Sequence, residues 1–338
     1  PMADSKTFSG FPVQNLSSDS TSVGQIYYNT SSGQFKAVKD GGAPIGTWAS
    51  GGNTNTARSG VTGFGINTAT IIAGGSTPGV VYEDLVEQYN GTAWTEIADF
   101  STGRNQAGSL GSTTAGLLFG GIVSLNTATA SNQSWNGSAW TEVNDLNTAR
   151  SYMLNGSNGT QTAGMTSTGW SGSAQVYSVE SWDGSSWSEV AEPNTNVYLR
   201  ATGGKAPNTN TIIFGGGYLP ARTANSETWN GSSWTEVGDL NTARTDMGGS
   251  GTSSTSAIGF GGRGNSGSPN ATILTESWDG SSWTEVADQG VNTGIHYFAS
   301  TGASAASALK CAGATTGQND TTEEWTAAAF EVKTLTTS

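Results

Sequence analysis

The sequence predicts an all-β fold made of six repeated units of four short strands. Three observations predict it: a tryptophan motif that returns at a nearly constant spacing, Asn-Gly or Asp-Gly pairs inside that motif, and apolar runs that end in Gly-Gly. The composition agrees, because glycine (49 of 338 residues) is abundant and charged residues make up only 12% of the chain. Such a chain makes many turns and sustains few long helices.

The repeat is clearest at a tryptophan that opens a strand of the form Trp-Thr-Glu-Val. Its copies are 46, 47, 47 and 49 residues apart, at Trp94, Trp140, Trp187, Trp234 and Trp283. A second aromatic residue stands five residues before each, at Tyr89, Trp135, Trp182, Trp229 and Trp278. The Asn-Gly or Asp-Gly pair between them tolerates the positive φ of a hairpin turn. We therefore expect each unit to end in two antiparallel strands with a facing aromatic pair.

Earlier in each unit, an arginine is followed by an apolar run that closes on Gly-Gly. The arginines are Arg58, Arg104, Arg150, Arg200 and Arg244, and His296 and Tyr297 fall near that place in the sixth unit. The Gly-Gly runs cover 71–75, 117–121, 212–216 and 258–262, with degenerate versions at 164–169 and 309–313. Four strands in a unit of this length are typical of one blade of a β-propeller. The sequence thus predicts a six-bladed β-propeller over residues 51–338.

The closure of the ring is left open between the two ends of the chain. Trp48 lies 46 residues before Trp94, in phase with the repeat, whereas Phe330 lies five residues after Trp325. The segment 330–332 therefore resembles the last strand of the sixth unit. In many propellers a strand from one terminus completes the blade begun at the other. We expect the Trp48 segment to pack against the last or the first blade, beside the Phe330 strand.

Residues 1–50 fall outside the repeat and predict a short N-terminal arm and a β-hairpin. Residues 2–21 are mostly polar, which indicates an extended arm. Residues 24–38 contain two apolar stretches around a turn with glycine, which predicts the hairpin.

The order of these elements resembles the kelch motif: arginine, apolar strand ending in Gly-Gly, and two aromatic residues five apart. The resemblance covers roughly residues 53–332. The sequence of residues 230–244, NGSSWTEVGDLNTAR, also resembles that of kelch-like virion proteins of tailed bacteriophages, especially marine ones. Residues 24–38 resemble the hairpin modules of phage tail and fibre proteins. These resemblances imply a virion protein (tail, fibre or capsid decoration) whose residues 1–50 dock to other virion proteins.

Charge and hydropathy exclude several classes of partner. A net charge of −13 argues against nucleic acid and anionic membrane surfaces, which both require clustered Lys and Arg. No run of about 18 apolar residues could span a membrane, and the first residues lack the apolar region of a signal peptide. We expect a protein made in the host cytoplasm and localised to the virion. The lone Cys311 excludes intrachain disulfides and a thiolate metal site.

The sequence predicts no catalytic residue and no cofactor. His296 is the only histidine, whereas kelch-fold radical-copper oxidases need paired His, Tyr and Cys ligands. A Ser-His-Asp site would need the same His296, and no Gly-x-Ser-x-Gly turn is present. The recurring glutamates are best explained as structural, because they return once per unit: Glu96, Glu142, Glu189, Glu236 and Glu285.

Two other repeated features are interpreted as structural. The arginines are expected to form ion pairs within or between blades, for instance Arg244 with Glu227 or Glu236, rather than an anion-binding ring. The segment 181–187 is similar to the sialidase Asp-box but lacks the residue between Asp and Gly, and Asp alternates with Asn among units. That alternation indicates a turn.

Function is expected where the repeats differ. The segments after Gly-Gly vary in length and sequence (76–85, 122–132, 217–225 and 263–275), and variable loops on a rigid scaffold form recognition surfaces. The binding candidates are Tyr82, Tyr218, Leu219 and Arg222. The partner would be a host-surface glycan or protein, bound weakly by each copy and strengthened by many copies on one particle.

Two alternatives remain at this point. A glycan-degrading or sialidase-like enzyme would show non-repeated acids, arginine and tyrosine converging at the channel mouth, and the sequence offers no such set. A cellular kelch interaction module would normally carry an accessory domain such as a BTB-like one, which is not seen here.

Overall fold

A computed structural model describes residues 7–8, 11–20, 24–40, 46–153, 157–203, 209–217, 222–264, 271–290, 294–315, 317–328 and 330–335. The regular structure in these ranges is β-strand, and none of it is a helix long and apolar enough to cross a membrane. The chain divides into two compact units, one formed by Pro1–Thr47 with Ala327–Ser338 and the other by Trp48–Thr326. The C-terminal segment thus belongs to the same unit as the N-terminal arm and hairpin.

The strands are short, and they follow here in chain order. The first are β1 Thr7–Phe8, β2 Phe11–Pro12, β3 Gln14–Leu16, β4 Ile26–Asn29, β5 Gln34–Asp40, β6 Thr47–Ser50, β7 Thr62–Ile66, β8 Ala69–Ala73, β9 Ser76–Thr77, β10 Val81–Tyr82, β11 Val86–Tyr89 and β12 Trp94–Ile97. The next are β13 Gly108–Ser112, β14 Ala115–Phe119, β15 Ile122–Ser124, β16 Thr127–Ala128, β17 Asn132–Trp135, β18 Trp140–Val143, β19 Ser157–Thr160, β20 Ala163–Trp170, β21 Gln175–Trp182 and β22 Trp187–Val190. The last are β23 Ala201–Gly203, β24 Thr211–Phe214, β25 Ser226–Trp229, β26 Trp234–Val237, β27 Arg244–Thr245, β28 Gly248–Ser253, β29 Ser256–Phe260, β30 Arg263–Gly264, β31 Thr275–Trp278, β32 Trp283–Glu285, β33 Ala299–Ser304, β34 Ser307–Cys311, β35 Thr322–Thr326 and β36 Phe330–Thr334.

The described part of the larger unit consists mainly of four-stranded antiparallel sheets, numbered here one to six in chain order. Their strand orders are β7-β8-β11-β12, β13-β14-β17-β18, β19-β20-β21-β22, β23-β24-β25-β26, β28-β29-β31-β32 and β33-β34-β35-β6. The first strand of each sheet contacts the first strand of the next, and β33 contacts β7. The architecture is therefore all-β, built from repeated four-stranded sheets, and compatible with a β-propeller.

The predicted terminal hairpins are confirmed. The aromatic pairs face each other across the third and fourth strands, as in Trp135 opposite Trp140, whose ring centroids are 5.2 Å apart. The turn forms because the side chain of Asn90 accepts hydrogen bonds from the backbone N–H groups of Thr92 and Ala93, both at 3.0 Å. In the turns that carry aspartate, backbone N–H donors lower the pKa of Asp183 to about 2. The acid of the Asp-box-like segment is thus a turn residue.

Each Gly-Gly pair forms a corner, by which we mean the link from one sheet to the next. Gly216 donates its N–H to the carbonyl of Arg244 at 2.8 Å, and a Cβ on Gly215 would lie 2.6 Å from that oxygen. The same link joins other units: Gly75 to Arg104, Gly121 to Arg150 and Gly313 to Arg58. In the degenerate third and sixth units, Thr168 and Ala312 adopt a φ of 57° at the first glycine position. The corner is thus kept without its first glycine.

Trp48 completes the sixth sheet. Its ring packs against Phe260 of the fifth sheet at 4.9 Å, just as Trp283 packs against Phe214 of the fourth sheet at 4.7 Å. Its Nε1 donates to Thr275 Oγ1 of the fifth sheet at 3.1 Å. Trp48 is therefore the sixth copy of the repeated fourth-strand tryptophan.

The interpretation that places the Phe330 strand in the sixth sheet is wrong. β36 pairs antiparallel with β5, with Phe330 opposite Asp40, in the sheet β3-β4-β5-β36 of the smaller unit. The predicted hairpin is present there as β4 and β5. The extended arm is also partly structured, because β3 pairs in parallel with β4. The spacing was misleading because Trp325 and Phe330 are five residues apart, as the aromatic pairs of the repeat are, although their strands belong to different sheets.

Candidate functional site

Four of the five repeated arginines form buried ion pairs with a glutamate on the third strand of their own sheet. The pairs are Arg58–Glu87 at 2.8 Å, Arg150–Glu180 at 2.5 Å, Arg200–Glu227 at 2.8 Å and Arg244–Glu276 at 2.6 Å. The same carboxylates accept a hydrogen bond from the segment before the arginine, as when Asn147 N donates to Glu180 Oε2 at 2.7 Å. Each pair thus fastens the segment before the first strand to the third strand, which is a structural task.

Two details differ from the expectation. Arg244 pairs with Glu276 and not with Glu227 or Glu236, because the third strand of its own sheet lies closest to it. Arg200 reaches Glu227 from a different place in its unit. In the fifth unit the residue with left-handed backbone is Asp246, two places after Arg244. In the fourth unit the matching residue is Leu199 (φ 62°), which comes directly before Arg200.

The second and sixth sheets vary this pair. In the sixth sheet Lys310 takes the place of the arginine and contacts Glu323 at 2.7 Å, with Gln289 accepting a second hydrogen bond from its ammonium group. In the second sheet Gln133 stands where the others have glutamate, and Arg104 has no carboxylate within ion-pair distance among the described residues. Burial lowers the pKa of Arg104 to about 10.

The non-repeated chemistry lies at what we call the variable face. It comprises the residues one and two places after the repeated-arginine position and the residue that follows Gly-Gly. The residue directly after the arginine position forms a β-bridge with the residue that follows Gly-Gly. Examples are Asn105 with Ile122, Ser151 with Trp170 and Thr245 with Arg263. This pattern brings the variable segments next to the start of each first strand.

The second position of the variable face is held in left-handed backbone and joins neighbouring units. Tyr297 has a φ of 55° and accepts a hydrogen bond from Gly60 N at 2.8 Å; Gly60 in turn accepts one from Gln106 N at 2.7 Å. Gln106 then accepts one from Met153 N at 3.3 Å. Backbone segments from units far apart in sequence are thus hydrogen-bonded to one another on this face.

A charged and aromatic cluster stands on this face between the fifth and sixth sheets. Arg263 Nε donates to Asp246 Oδ2 at 2.7 Å, and its Nη2 donates to the Tyr297 hydroxyl at 2.9 Å. The guanidinium carbon lies 4.9 Å from the centre of the Tyr297 ring, and the His296 ring lies 4.8 Å from the same ring. Asp246 is buried, whereas the other three side chains are half-buried and reach solvent.

Burial sets the electrostatics of the cluster. It raises the pKa of Asp246, an effect that the charge of Arg263 opposes, and it raises the pKa of the Tyr297 hydroxyl. Burial, followed by the charge of Arg263, lowers the pKa of His296 to about 4. Burial alone would lower the pKa of Arg263, but the charge of Asp246 outweighs it and raises that pKa. At neutral pH the imidazole and the phenol of the cluster are thus both neutral.

Further aromatic side chains extend the face toward the third and fourth units. The rings of Tyr152 and Trp170 lie 6.2 and 6.1 Å from the ring of Tyr198. Tyr152 also contributes electrostatically to the raised pKa of Tyr297. Aromatic surfaces with a few fixed polar groups are typical of small-molecule binding sites.

Several polar atoms on the variable face have no hydrogen-bond partner within the described ranges. They are Asn105 Oδ1, Gln106 Oε1, Asp246 Oδ1 and His296 Nδ1. Buried polar atoms are nearly always paired in proteins, so a group left unpaired requires an explanation. Among the repeated ion pairs the unpartnered atoms include the Nε donors of Arg58, Arg200 and Arg244, whereas three of the four on the variable face are oxygen acceptors.

The sequence-predicted binding residues are only partly placed. Tyr82 is half-buried and pairs with Ser76 through the backbone. Arg222 is buried, donates a hydrogen bond to the carbonyl of Gly264, and acts electrostatically on Asp246. Tyr218 and Leu219 lie outside the described residues.

Sequence reasoning missed Asp246, Arg263 and Tyr297 as a set. The non-repeated acid, arginine and tyrosine that it sought do converge, from positions 17 and 34 residues apart. One feature of the sequence could have revealed the set. Asp246 and Tyr297 occupy the same position of the repeat, where the first and second units have Gly60 and Gln106.

A cavity of about 400 Å³ lies at the other ends of the strands. It is lined by the turns between the first and second strands of the first three sheets, and most of its lining residues are Gly, Ala, Ser and Thr. It offers few groups that could direct a ligand.

Metal binding finds no support in the described ranges, where no three His, Cys, Asp or Glu side chains group as ligands. Cys311 is buried, and burial raises the pKa of its thiol.

No protein-family model matches this chain, and no curated protein matches it in sequence. The class that fold and site define is thus an all-β repeat protein with a variable face.

Proposed function

We propose that this chain is a six-bladed, kelch-like β-propeller that acts as a non-enzymatic structural or adhesive protein of a bacteriophage virion. The contact of β33 with β7 supports closure into a ring of six. The hydrogen bond from Gly313 N to the Arg58 carbonyl also supports it. This bond joins the sixth unit to the first in the same way as the equivalent bonds join consecutive units. Trp48 supplies the fourth strand of the last blade.

One observation carries the functional part of the proposal. Four of the repeated arginines pair with glutamates inside the sheets, whereas non-repeated aromatic and charged residues gather at the variable face. A rigid repeat scaffold with one variable face is suited to recognition. Weak recognition by each copy is sufficient on a particle that carries many copies.

The smaller unit supports a role in attachment to the particle. Its sheet β3-β4-β5-β36 combines segments from both ends of the chain, and its core contains Val13, Tyr27 and Val38. A module with a sheet and a core of its own offers other virion proteins a folded surface to bind. Residues 1–50 alone are therefore not the complete attachment module.

The test is mass spectrometry of purified particles together with a matched pair of chains. The full chain is expected in particles in many copies. A variant of residues 46–328, which keeps β6 and omits β36, should stay soluble and monomeric by gel filtration but be absent from particles. Deleting residues 1–50 would confound the test, because it removes the fourth strand of the sixth sheet. Normal incorporation of the 46–328 variant would refute the attachment role.

A glycan-degrading enzyme is the second candidate, favoured by the convergence of Asp246, Arg263 and Tyr297. The electrostatics argue against it. A tyrosine nucleophile needs a lowered pKa, and that of Tyr297 is raised. Asp246 is held in an ion pair, and a glycosidase needs two opposed carboxylates. Incubation of the full chain with host polysaccharide and a reducing-end assay decides: release abolished by Asp246→Asn would replace the proposal.

A further inference from the structure

We propose that Asn105, Gln106, Asp246, Arg263, His296 and Tyr297 form a binding site for a neutral, hydroxyl-rich sugar unit. This inference rests on the proposed recognition function and names the chemical class of its ligand. It concerns the part of the variable face where the first, second, fifth and sixth units meet.

The hydrogen-bonding capacity of the site calls for a ligand with several donors. Three of its unpartnered atoms are acceptors: Asn105 Oδ1, Gln106 Oε1 and Asp246 Oδ1. Gln106 and Asp246 are each only 7% exposed, so bulk water has little access to them. Sugar hydroxyls donate hydrogen bonds in several directions, which matches acceptors that belong to different units.

These groups lie close together through a continuous series of contacts. Gln106 N bonds to Gly60, and Gly60 N bonds to the carbonyl of Tyr297. The hydroxyl of Tyr297 then accepts from Arg263, whose guanidinium holds Asp246. A Cβ on Gly60 would lie 3.2 Å from that of Asn105 and 3.4 Å from Cγ of Gln106, so glycine lets these two side chains lie close to its backbone.

The charges favour a neutral ligand. A metal cation would face Arg263, which contacts Asp246, and Arg222, which also acts on that carboxylate. An acidic sugar would need a guanidinium free to pair with it, whereas Arg263 is already engaged by Asp246 at 2.5 Å. A neutral hydroxyl group meets neither obstacle.

Half-buried rings supply the apolar part of the site. The rings of Tyr297 and His296 have centroids 4.8 Å apart and stand at an interplanar angle of 64°. Sugar rings combine polar edges with apolar C–H faces, and sites lined by aromatic rings with a few convergent polar groups accommodate such ligands.

The test measures binding of the fluorescently labelled full chain to an array of oligosaccharides. The array carries neutral hexose, deoxyhexose and N-acetylhexosamine chains, and uronic-acid chains of equal length. We expect binding to at least one neutral chain, weakened about tenfold or more by Gln106→Met, which keeps the side-chain length and removes the acceptor. Ser112→Ala, in the cavity at the other ends of the strands, is the matched control and should bind as the wild type does.

The remaining outcomes are decisive. If Gln106→Met does not fold, Asn105→Ala at the half-exposed neighbour must weaken binding instead. Binding to no neutral chain, binding to uronic-acid chains alone, or a melting temperature that rises only with calcium or magnesium chloride would each overturn the sugar site. None of these results affects the particle test, because incorporation depends on the smaller unit and would still be seen by mass spectrometry.

Discussion

Arg104 is buried in the second sheet, where Gln133 holds the third-strand position at which four other sheets pair a glutamate with their arginine. Gln133 bonds instead to Ser101: its Oε1 accepts from Ser101 N at 3.4 Å, and its amide donates to the Ser101 hydroxyl. The guanidinium of Arg104 is left to carbonyls and a hydroxyl, with Gly120 O at 3.2 Å and Ser131 O at 3.1 Å. The second sheet thus retains a buried cation without its counter-ion.

Replacing Gln133 with glutamate is therefore expected to stabilise the protein. The new carboxylate would pair with Arg104 and accept a hydrogen bond from Ser101. We expect this to raise the free energy of unfolding by about 1.5–3 kcal/mol, the range of hydrogen bonds to charged groups. Urea denaturation measures this change. Gln133→Met, which adds no charge, should give no gain.

The reverse change in an intact pair supplies the comparison. Glu180→Gln leaves Arg150 buried without its partner, so a loss of about 3–5 kcal/mol is expected. Equal stability of the Gln133→Glu variant and the wild type would mean that Arg104 is already compensated.

Trp48→Ala is expected to destabilise the larger unit by about 3 kcal/mol. The substitution removes the ring contacts with Phe260 at 4.9 Å and Trp325 at 5.6 Å, as well as the hydrogen bond to Thr275. Thermal and urea unfolding should show a loss comparable to that of Trp140→Ala, the equally half-buried residue of the second sheet. A change near zero would show that β6 does not complete the sixth sheet.

The only histidine of the chain should titrate far below its usual range. Because the folded pKa of His296 is about 4, against 6.5 for a free imidazole, the unfolded chain binds a proton first as the pH falls. His296 therefore lowers stability progressively as the pH falls from 6.5 to about 4. Its Cε1–H signal in NMR spectra is unambiguous and should have its midpoint near pH 4.

His296→Gln is the control for that pH dependence. Between pH 6.5 and 4 the variant should lose less stability than the wild type, since glutamine does not titrate. A midpoint for the native protein at pH 6 or above would contradict the buried, neutral imidazole.

Ala312→Gly is expected to raise the free energy of unfolding by about 1 kcal/mol. Ala312 has a φ of 57°, a conformation that costs an L-residue roughly 1–2 kcal/mol and glycine almost nothing. Gly215→Ala at the matching corner should destabilise, because its Cβ would lie 2.6 Å from the Arg244 carbonyl. Urea midpoints of the two variants should therefore shift in opposite directions, and a shared direction would rule out strain at this corner.

Local features of the fold could be predicted from the sequence. The aromatic hairpins depend on six consecutive residues, such as 135–140, and on an Asn or Asp whose side chain caps the turn. The Gly-Gly corners depend on a backbone conformation that two adjacent residues decide. Their repetition made the four-stranded units visible without any relative.

Long-range pairings could not be predicted in the same way. The partner of Arg244 and the use of Lys310 in the sixth sheet depend on side chains that meet only after the sheets form. The Asp246, Arg263 and Tyr297 cluster was missed for the same reason, since each residue is unremarkable in its own segment.

By itself the sequence determined an all-β chain of repeated four-stranded units, because short-range turn chemistry and aromatic spacing encode each unit. Only the tertiary structure decided that Trp48 rather than Phe330 completes the sixth sheet. Both aromatic residues fit the spacing, and the choice rests on packing against Phe260 and hydrogen bonding to Thr275, more than 200 residues away in the chain. The variable face likewise exists only where distant units meet.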